Sequence, residues 1–247
     1  FTYWDIYTSH RLEESEYAYA DHFSSLSKKG QLRIQNELHL SVSIRSFRSE
    51  RTSSFVKSIL DLDLNRARQL YELIQAKYPI KVTRNIKCAK TWLRSKARGT
   101  ESLGIIASSG AHRLKSSGIF VKAEIKPEIW FLNSNDDVRS SAFLEDVATE
   151  FEVQGLELDW TCVAWDANLR VNGTSWEFKE FRGTEWQNVN SEVRRRYLLN
   201  SYRVLLTRAR QGMVIFIPEG DLGDRTSLPE FYDPVFNCLT SIGIEQL

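Results

Sequence analysis

The spacing of apolar and polar residues predicts helices that alternate with strands. Within residues 65–78 apolar side chains recur at helical spacing, which predicts a helix that ends at Pro79. Residues 86–97 predict a basic amphipathic helix, and residues 103–107 (Leu-Gly-Ile-Ile-Ala) are apolar throughout, as in a buried parallel strand. Alternation of this kind is typical of βαβ units. We therefore predict the α/β fold class with a mostly parallel central sheet.

The second half of the chain predicts one long helix. It covers residues 191–208, and Gly212 separates it from a β-rich segment, residues 213–218. An apolar face at helical spacing is the side of a helix that turns toward the core. The predicted apolar face consists of Val193, Tyr197, Leu198, Tyr202, Leu205 and Leu206.

Three shorter segments complete the pattern. Residues 169–181 alternate around Asn172-Gly173, which is typical of a hairpin, and we expect a hairpin insertion at about residues 169–185. The Trp-Phe-Leu run at residues 130–132 predicts a short strand or a docking segment. Alternation within residues 38–44 predicts a further strand.

Composition narrows the class of protein. Of the 247 residues, 42% are hydrophobic and 26% are charged, as in ordinary globular proteins. The net charge of +1 argues against a uniformly basic surface but leaves room for a local basic groove. No apolar run approaches the roughly 20 residues that span a bilayer, so we expect no membrane partner. The three cysteines form no Cys-x-x-Cys pair, which predicts no metal site and favours a reduced, cytoplasmic setting.

The segment Asn-Ser-Tyr-Arg-Val-Leu-Leu-Thr-Arg-Ala-Arg, residues 200–210, carries the strongest functional signal. It places Arg208 and Arg210 at the end of the long predicted helix. A guanidinium group is always charged and can bind two phosphate oxygens at once. An arginine held at such a helix end can reach across a cleft and neutralise phosphate charge.

A second segment, Thr-Glu-Phe-Glu-Val-Gln-Gly-Leu-Glu-Leu-Asp-Trp at residues 149–160, lies upstream. Together the two segments closely resemble the last two motifs of superfamily-one helicases, in the order of that family. The residues that match the first of these motifs are Thr149, Gln154, Gly155 and Glu157. From about Arg48 to its last helix, the chain is similar to the C-terminal motor lobe of the Schlafen-like group of DNA/RNA helicases.

This resemblance implies a RecA-like three-layer domain over residues 36–247, with residues 1–35 as a connecting segment from an upstream lobe. The chain does not begin with Met, so we expect a fragment of a longer polypeptide. It contains no Gly-x-x-x-x-Gly-Lys-Ser/Thr loop and no Asp-Glu-Ala-Gln magnesium motif. ATP and Mg²⁺ are therefore expected to bind mainly to the upstream lobe, and this chain alone should not hydrolyse ATP.

The same resemblance implies roles for individual residues. Arg208 would be an arginine finger that projects into a crevice and reaches bound ATP. Glu157 would hydrogen-bond the nucleotide ribose, and Gly155 would let the backbone approach closely. Thr149 and Gln154 would lie between the nucleotide cleft and the nucleic-acid strand.

Two further sites complete the predicted machinery. In the family's fourth motif an aromatic residue or Gln precedes an Arg. The sequence at residues 47–49 fits best, with Arg48 as the arginine and Arg45 as a rival. Ser108 and Ser109 follow a buried strand, where α/β sheets place ligands. Their amides and hydroxyls are expected to hold a phosphate of DNA or RNA, most naturally a single strand.

The leading prediction is therefore the second motor lobe of an ATP-dependent helicase or translocase. One alternative is a binding platform for nucleic acid or protein that has lost ATPase chemistry, motivated by the absent phosphate loop. The other is a magnesium-dependent nuclease. For that site the sequence offers Asp159 or Asp166, followed by Glu177 and Lys179, because carboxylates hold magnesium and a lysine steadies the attacking water.

Overall fold

The computed structural model describes residues 4–8, 31–38 and 47–247. The chain divides into two compact units, residues 1–47 and 48–247. All the predicted motif residues except Arg45 belong to the second unit, which contains most of the regular structure.

The first unit is described only in part. Strand β1 (Ile6–Thr8) pairs in parallel with β2 (Leu32–Ile34), and a short 3-10 helix, Asn36–Leu38, follows. The strand predicted for residues 38–44 lies outside the described residues, apart from its first residue, which ends the 3-10 helix.

Helices and strands alternate from Phe47 onward. The helices are α1 (Phe47–Leu60), α2 (Leu64–Ile74), α3 (Ile86–Lys96), α4 (Pro127–Leu132), α5 (Glu192–Leu206) and α6 (Asp233–Ser241). The strands are β3 (Ile80–Thr83), β4 (Leu103–Ala107), β5 (Val147–Thr149), β6 (Leu158–Ala164), β7 (Leu169–Asn172), β8 (Ser175–Arg182), β9 (Glu185–Asn188), β10 (Ala209–Phe216) and β11 (Glu245–Gln246). Short 3-10 helices cover His112–Ser117, Ser141–Phe143 and Pro229–Phe231.

Six strands form one central sheet in the order β11-β3-β10-β6-β4-β5, and each pairing is parallel. The other strands of the second unit, β7 to β9, form an antiparallel meander. Gly173 has φ +59° in its first turn, a conformation that glycine adopts without steric cost. The predicted α/β class with a parallel central sheet is confirmed.

The sheet is covered on both faces. Successive strand residues point to opposite sides, so Ile105 and Ile106 on β4 belong to two different apolar clusters. One cluster packs helices α1, α2, α5 and α6 against the sheet, and the other packs α3. The arrangement is consistent with a RecA-like three-layer fold.

Helix α4 replaces the strand or docking segment that the run at residues 130–132 predicts. Pro127 occupies the first turn, where a missing N–H costs nothing. Trp130 is 1% exposed, and its indole Nε1 donates to the Asp146 carbonyl at 3.1 Å. The ring fits because Gly104 has no Cβ, which would lie 2.9 Å from it. Trp130 is therefore buried on a short helix, whereas Leu132 at the end of that helix is 75% exposed.

Two predictions about the long helix are wrong. Val193 and Tyr197, assigned to its apolar face, are 55% and 69% exposed. Gly212 does not end the helix, because α5 ends at Leu206 and Gly212 lies inside β10. No helix in the described part of the chain is long and apolar enough to cross a membrane.

Candidate functional site

The carboxyl ends of the parallel strands meet at one edge of the sheet. Ala107, the last residue of β4, pairs with Thr149 on one side and with Ala164 on the other. The residues after these strands, including Ser108 and Glu150, therefore lie close together. This edge is where open α/β sheets bind ligands.

A cavity of about 790 Å³ opens at this edge. Its walls come from the loops after β4 and β5, from β8 of the meander and from α5. Ser108, Ser109 and Gln154, three of the residues predicted to contact nucleic acid, all line it. The fold thus brings together side chains from segments far apart in sequence.

The hydrogen-bond donors of Ser109 already have acceptors within the protein. Its backbone N–H and its hydroxyl donate to the two oxygens of the Glu150 carboxylate, each at 2.8 Å. Ser108 is 1% exposed, and its Oγ accepts a hydrogen bond from Asn168 Nδ2 at 3.1 Å. Asn168 Oδ1 in turn accepts from the Tyr202 hydroxyl at 2.6 Å. Both serines therefore fix the cavity wall in position.

Thr149 does not line the cavity. It is 5% exposed, and its backbone N–H donates to the Glu152 carboxylate at 2.6 Å. Its hydroxyl donates to the same carboxylate. Glu152 thereby closes the turn that follows β5, so Thr149 shapes the loop that carries Gln154.

Arg208 lies at the opposite, amino-terminal edge of the sheet, next to the start of β10. The side chain is held by three backbone carbonyls: Nε donates to Val204 at 2.9 Å, and Nη1 donates to Leu156 at 3.2 Å and to Val153 at 3.4 Å. The residue is 7% exposed. The guanidinium does not project into a crevice in this structure, because the turn after β5 and the last turn of α5 supply carbonyls to which it donates, and its expected role as an arginine finger stays a prediction.

The two predicted motif segments nevertheless meet at this point. The Arg208 carbonyl accepts from the Leu158 N–H at 3.2 Å, next to Glu157. Gly155 has φ +90°, which an L side chain rarely adopts, and it gives the loop the shape that presents carbonyls to Arg208. Gln154 lies on the exposed side of the same loop and reaches the cavity.

Arg210 is fixed by a separate polar cluster at the same edge. Its Nη2 lies 2.9 Å from Asp159 Oδ1, which also accepts from Gln211 Nε2 at 3.1 Å. The other Asp159 oxygen accepts from the N–H and hydroxyl of Ser102. Partial burial acts to raise the pKa of Asp159, but the hydrogen bonds from Gln211, Ser102 and Arg210 outweigh it and lower that pKa. This arrangement fits a structural role for Asp159.

The carboxylates of the nuclease alternative lie on different elements of the fold. Asp159 lies at the start of β6 and Asp166 just beyond its end, whereas Glu177 pairs with Asn172 and Lys179 on the meander. The described residues include no group of three or more His, Cys, Asp or Glu side chains that could hold a metal ion.

The predicted second arginine cannot be placed in the site. The backbone of Arg48 lies in the first turn of α1, but its side chain falls outside the description, and Arg45 lies outside the described residues altogether. Three cavity residues were not predicted as site residues from the sequence: Glu150, Tyr197 and Asn200. The periodicity that predicts the long helix assigns Tyr197 to its apolar face, and no local pattern marks Glu150 or Asn200 as cavity residues.

Comparison with known proteins assigns the chain to a family. The family described as Schlafen group 3, DNA/RNA helicase domain, matches residues 8–219. No curated protein and no solved structure matches the chain. The match covers most of the chain, including both motif segments and the cavity residues. The chain belongs to the Schlafen group 3 DNA/RNA helicase domain family.

Proposed function

We propose that this chain is the second motor lobe of an ATP-dependent DNA/RNA helicase or translocase. Membership of the family supports a helicase-related function. The structural observation that carries the proposal is the contact of Arg208 with the Val153 and Leu156 carbonyls. It joins the two motif segments that, in helicases, act on the nucleotide.

In this proposal ATP and Mg²⁺ bind mainly to another lobe of the same polypeptide, which faces the amino-terminal edge of this sheet. Hydrolysis develops negative charge on the transferred phosphoryl group, and a guanidinium stabilises that charge. Arg208 leaves its carbonyl partners to do so, with Arg48 or Arg45 as the second cation. Glu157 binds the ribose, and Gly155 lets the loop approach the nucleotide.

The nucleic-acid strand runs along the carboxyl-terminal edge. Ser108, Ser109 and Gln154 line the cavity there. Thr149 does not line the cavity, but its hydrogen bond with Glu152 closes the turn of the loop that carries Gln154. The loop after β5 therefore links both ligands, because its carbonyls hold Arg208 and its Gln154 side chain faces the strand.

The test is Arg208→Lys and Arg208→Ala in the protein that includes the ATP-binding lobe. Lysine keeps the positive charge but cannot fork onto two oxygens. We expect ATP hydrolysis stimulated by single-stranded nucleic acid to fall about 10³-fold or more in both variants. Thermal melting of each variant shows whether the loss of activity reflects loss of folding.

Arg196→Ala is the matched control, because Arg196 is an exposed arginine on α5, the helix that precedes Arg208. It should hydrolyse ATP at the wild-type rate. Wild-type activity in a folded Arg208→Lys variant and in Arg208→Ala would remove the arginine finger from the proposal.

A second candidate function is a non-catalytic platform for nucleic acid. The burial of Arg208, 7% exposed, favours it, since a buried guanidinium is not available to phosphate. The two functions differ in one measurement. In the protein that includes the ATP-binding lobe, a platform binds single strands without any nucleic-acid-stimulated ATP hydrolysis, whereas a motor shows both.

A further inference from the structure

Two exposed aromatic rings line the cavity at the carboxyl-terminal edge. Phe151, on the loop after β5, and Tyr197, on α5, are each 69% exposed. Single exposed apolar residues are common on protein surfaces, but aromatic rings grouped at a concave site mark a place where a ligand binds. The ligand therefore presents a flat or apolar surface to these rings.

The basic side chains that line the cavity are paired with carboxylates. Arg194 Nη2 lies 2.6 Å from the Glu180 carboxylate, and Lys179 Nζ lies 3.4 Å from Glu177 and 2.7 Å from Asn188 Oδ1. Among the described residues that line the cavity, each Lys and Arg thus has a carboxylate partner.

The Glu150 carboxylate also covers the donors of Ser109, which are the ones best placed for an anion. A phosphate bound at this wall would meet that carboxylate instead of a free amide and hydroxyl. The cavity consequently favours a neutral part of a ligand over its phosphate groups.

Two amide side chains in the cavity are available for recognition. Neither Gln154 nor Asn200 makes a side-chain hydrogen bond to any residue that the structure describes, and both line the cavity. An amide offers a donor and an acceptor side by side. That pair matches the hydrogen-bonding edge of a nucleobase.

We propose that the cavity binds an unstacked nucleobase of a single DNA or RNA strand. Tyr197 and Phe151 stack on the base, and Gln154 and Asn200 hydrogen-bond to its edge. Aromatic stacking of this kind tolerates different bases, because every base has a π face. A volume of about 790 Å³ is within the range of ligand cavities and admits a base with its sugar. The inference rests on the proposed function, since it names how the nucleic-acid strand is held.

The experiment compares two labelled 12-nucleotide single strands of DNA, one complete and one with abasic sugars throughout, by fluorescence anisotropy. The variants are Tyr197→Ala, Tyr197→Phe and Asn200→Ala. Val193→Ala is the matched control, because Val193 is 55% exposed on the same helix, one turn earlier, and does not line the cavity.

Tyr197→Ala should weaken binding of the complete strand at least about fivefold and leave the abasic strand unchanged. Tyr197→Phe should bind like wild type, because it keeps the ring. Asn200→Ala should weaken the complete strand only. The slope of log Kd against log salt should be the same in all variants, because no phosphate contact is removed.

Failure of the inference and failure of the proposed function give different results. If the complete strand binds Tyr197→Ala and Val193→Ala equally well, or if Tyr197→Ala weakens both strands alike, the base site is overturned while strand binding stands. If wild-type protein binds neither strand, the nucleic-acid part of the proposed function fails and the base site fails with it.

Discussion

Asp166 is a carboxyl group whose ionisation is set by its surroundings in the fold. It follows β6 and is fully buried. Its oxygens accept hydrogen bonds from the Arg113 N–H at 3.0 Å, the Ala167 N–H at 2.7 Å and the Tyr232 hydroxyl at 3.1 Å. Burial raises the pKa of Asp166 to about 6, and these hydrogen bonds only partly oppose that effect.

This raised pKa predicts a pH-dependent stability. The folded state binds a proton at Asp166 more tightly than the unfolded state does, so the stabilising contribution is complete below about pH 4 and is lost as pH rises through about 6. The amide side chain in Asp166→Asn cannot ionise, so this variant does not lose that stability as pH rises. From pH 4 to pH 7, we expect the free energy of unfolding of wild type to fall by roughly 2–3 kcal/mol relative to that of Asp166→Asn.

Denaturant unfolding of both proteins at the two pH values measures this change. Glu219→Gln, at an exposed carboxylate, is the control. A constant difference between wild type and Asp166→Asn across the pH range would show that Asp166 keeps its ordinary ionisation in the folded state.

At the scale of elements, the sequence predicts α5 well and its surroundings poorly. The predicted helix, residues 191–208, exceeds the observed Glu192–Leu206 by at most two residues at each end. Periodicity identifies the apolar stripe that includes Tyr202 and Leu205, both buried. It does not show where the sheet beneath the stripe ends, so the exposure of Tyr197 follows only from the tertiary fold.

Gly212 is a second case in which local pattern and tertiary role differ. The residue lies where the pairing of β10 with β6 shifts register. A Cβ at this position would lie 2.6 Å from the Pro79 carbonyl oxygen and 2.7 Å from the Trp160 ring. Glycine is therefore required by close packing between strands, and not by a helix end.

Gly212→Ala should consequently lower the free energy of unfolding by about 1–3 kcal/mol, because a backbone carbonyl and a buried ring cannot both move away. Gly223→Ala is the comparison, since its Cβ would meet only the Asp221 side chain, which can turn aside. Equal melting temperatures for the two variants would contradict the packing explanation.

At the scale of the whole molecule, one part of the candidate site can be predicted from the sequence and the other part cannot. The contact between Arg208 and the loop containing Gly155 joins two segments that a family resemblance identifies as linear motifs. The cavity at the other edge joins residues from separate segments of the chain, including Glu150 and Tyr197. No local pattern marks such a set, because its members become neighbours only when the parallel strands align their ends.

The meander contributes to the cavity because it is anchored to the rest of the second unit. The Trp186 indole Nε1 donates to the Thr226 carbonyl at 2.7 Å. Arg170, 6% exposed, lies between two rings, with its guanidinium carbon 3.6 Å from the centre of the Phe231 ring and 4.8 Å from that of Trp186. Burial lowers the pKa of Arg170 to about 10, so it stays charged at neutral pH and attracted to both rings.

Trp186→Ala removes one ring and one hydrogen bond from this anchor. We expect faster amide hydrogen exchange in β8 and β9 and unchanged exchange in the central strands β6 and β10. Leu222→Ala, at a residue that is 84% exposed, should alter neither region. Exchange that accelerates equally throughout the protein would show that the meander and the sheet open as one cooperative unit.

The hydrogen bonds of Arg208 to backbone carbonyls must break before its side chain can act as a catalytic group. If this guanidinium acts on a phosphate, three hydrogen bonds must first be given up, and the vacated carbonyls must find water or another donor. One of those carbonyls belongs to Val204, a residue that also lines the cavity at the carboxyl-terminal edge. Under the proposed function, a lobe built in this way would hydrolyse ATP slowly while Arg208 keeps these contacts. Fast hydrolysis would require a nucleic-acid strand in the cavity to weaken them.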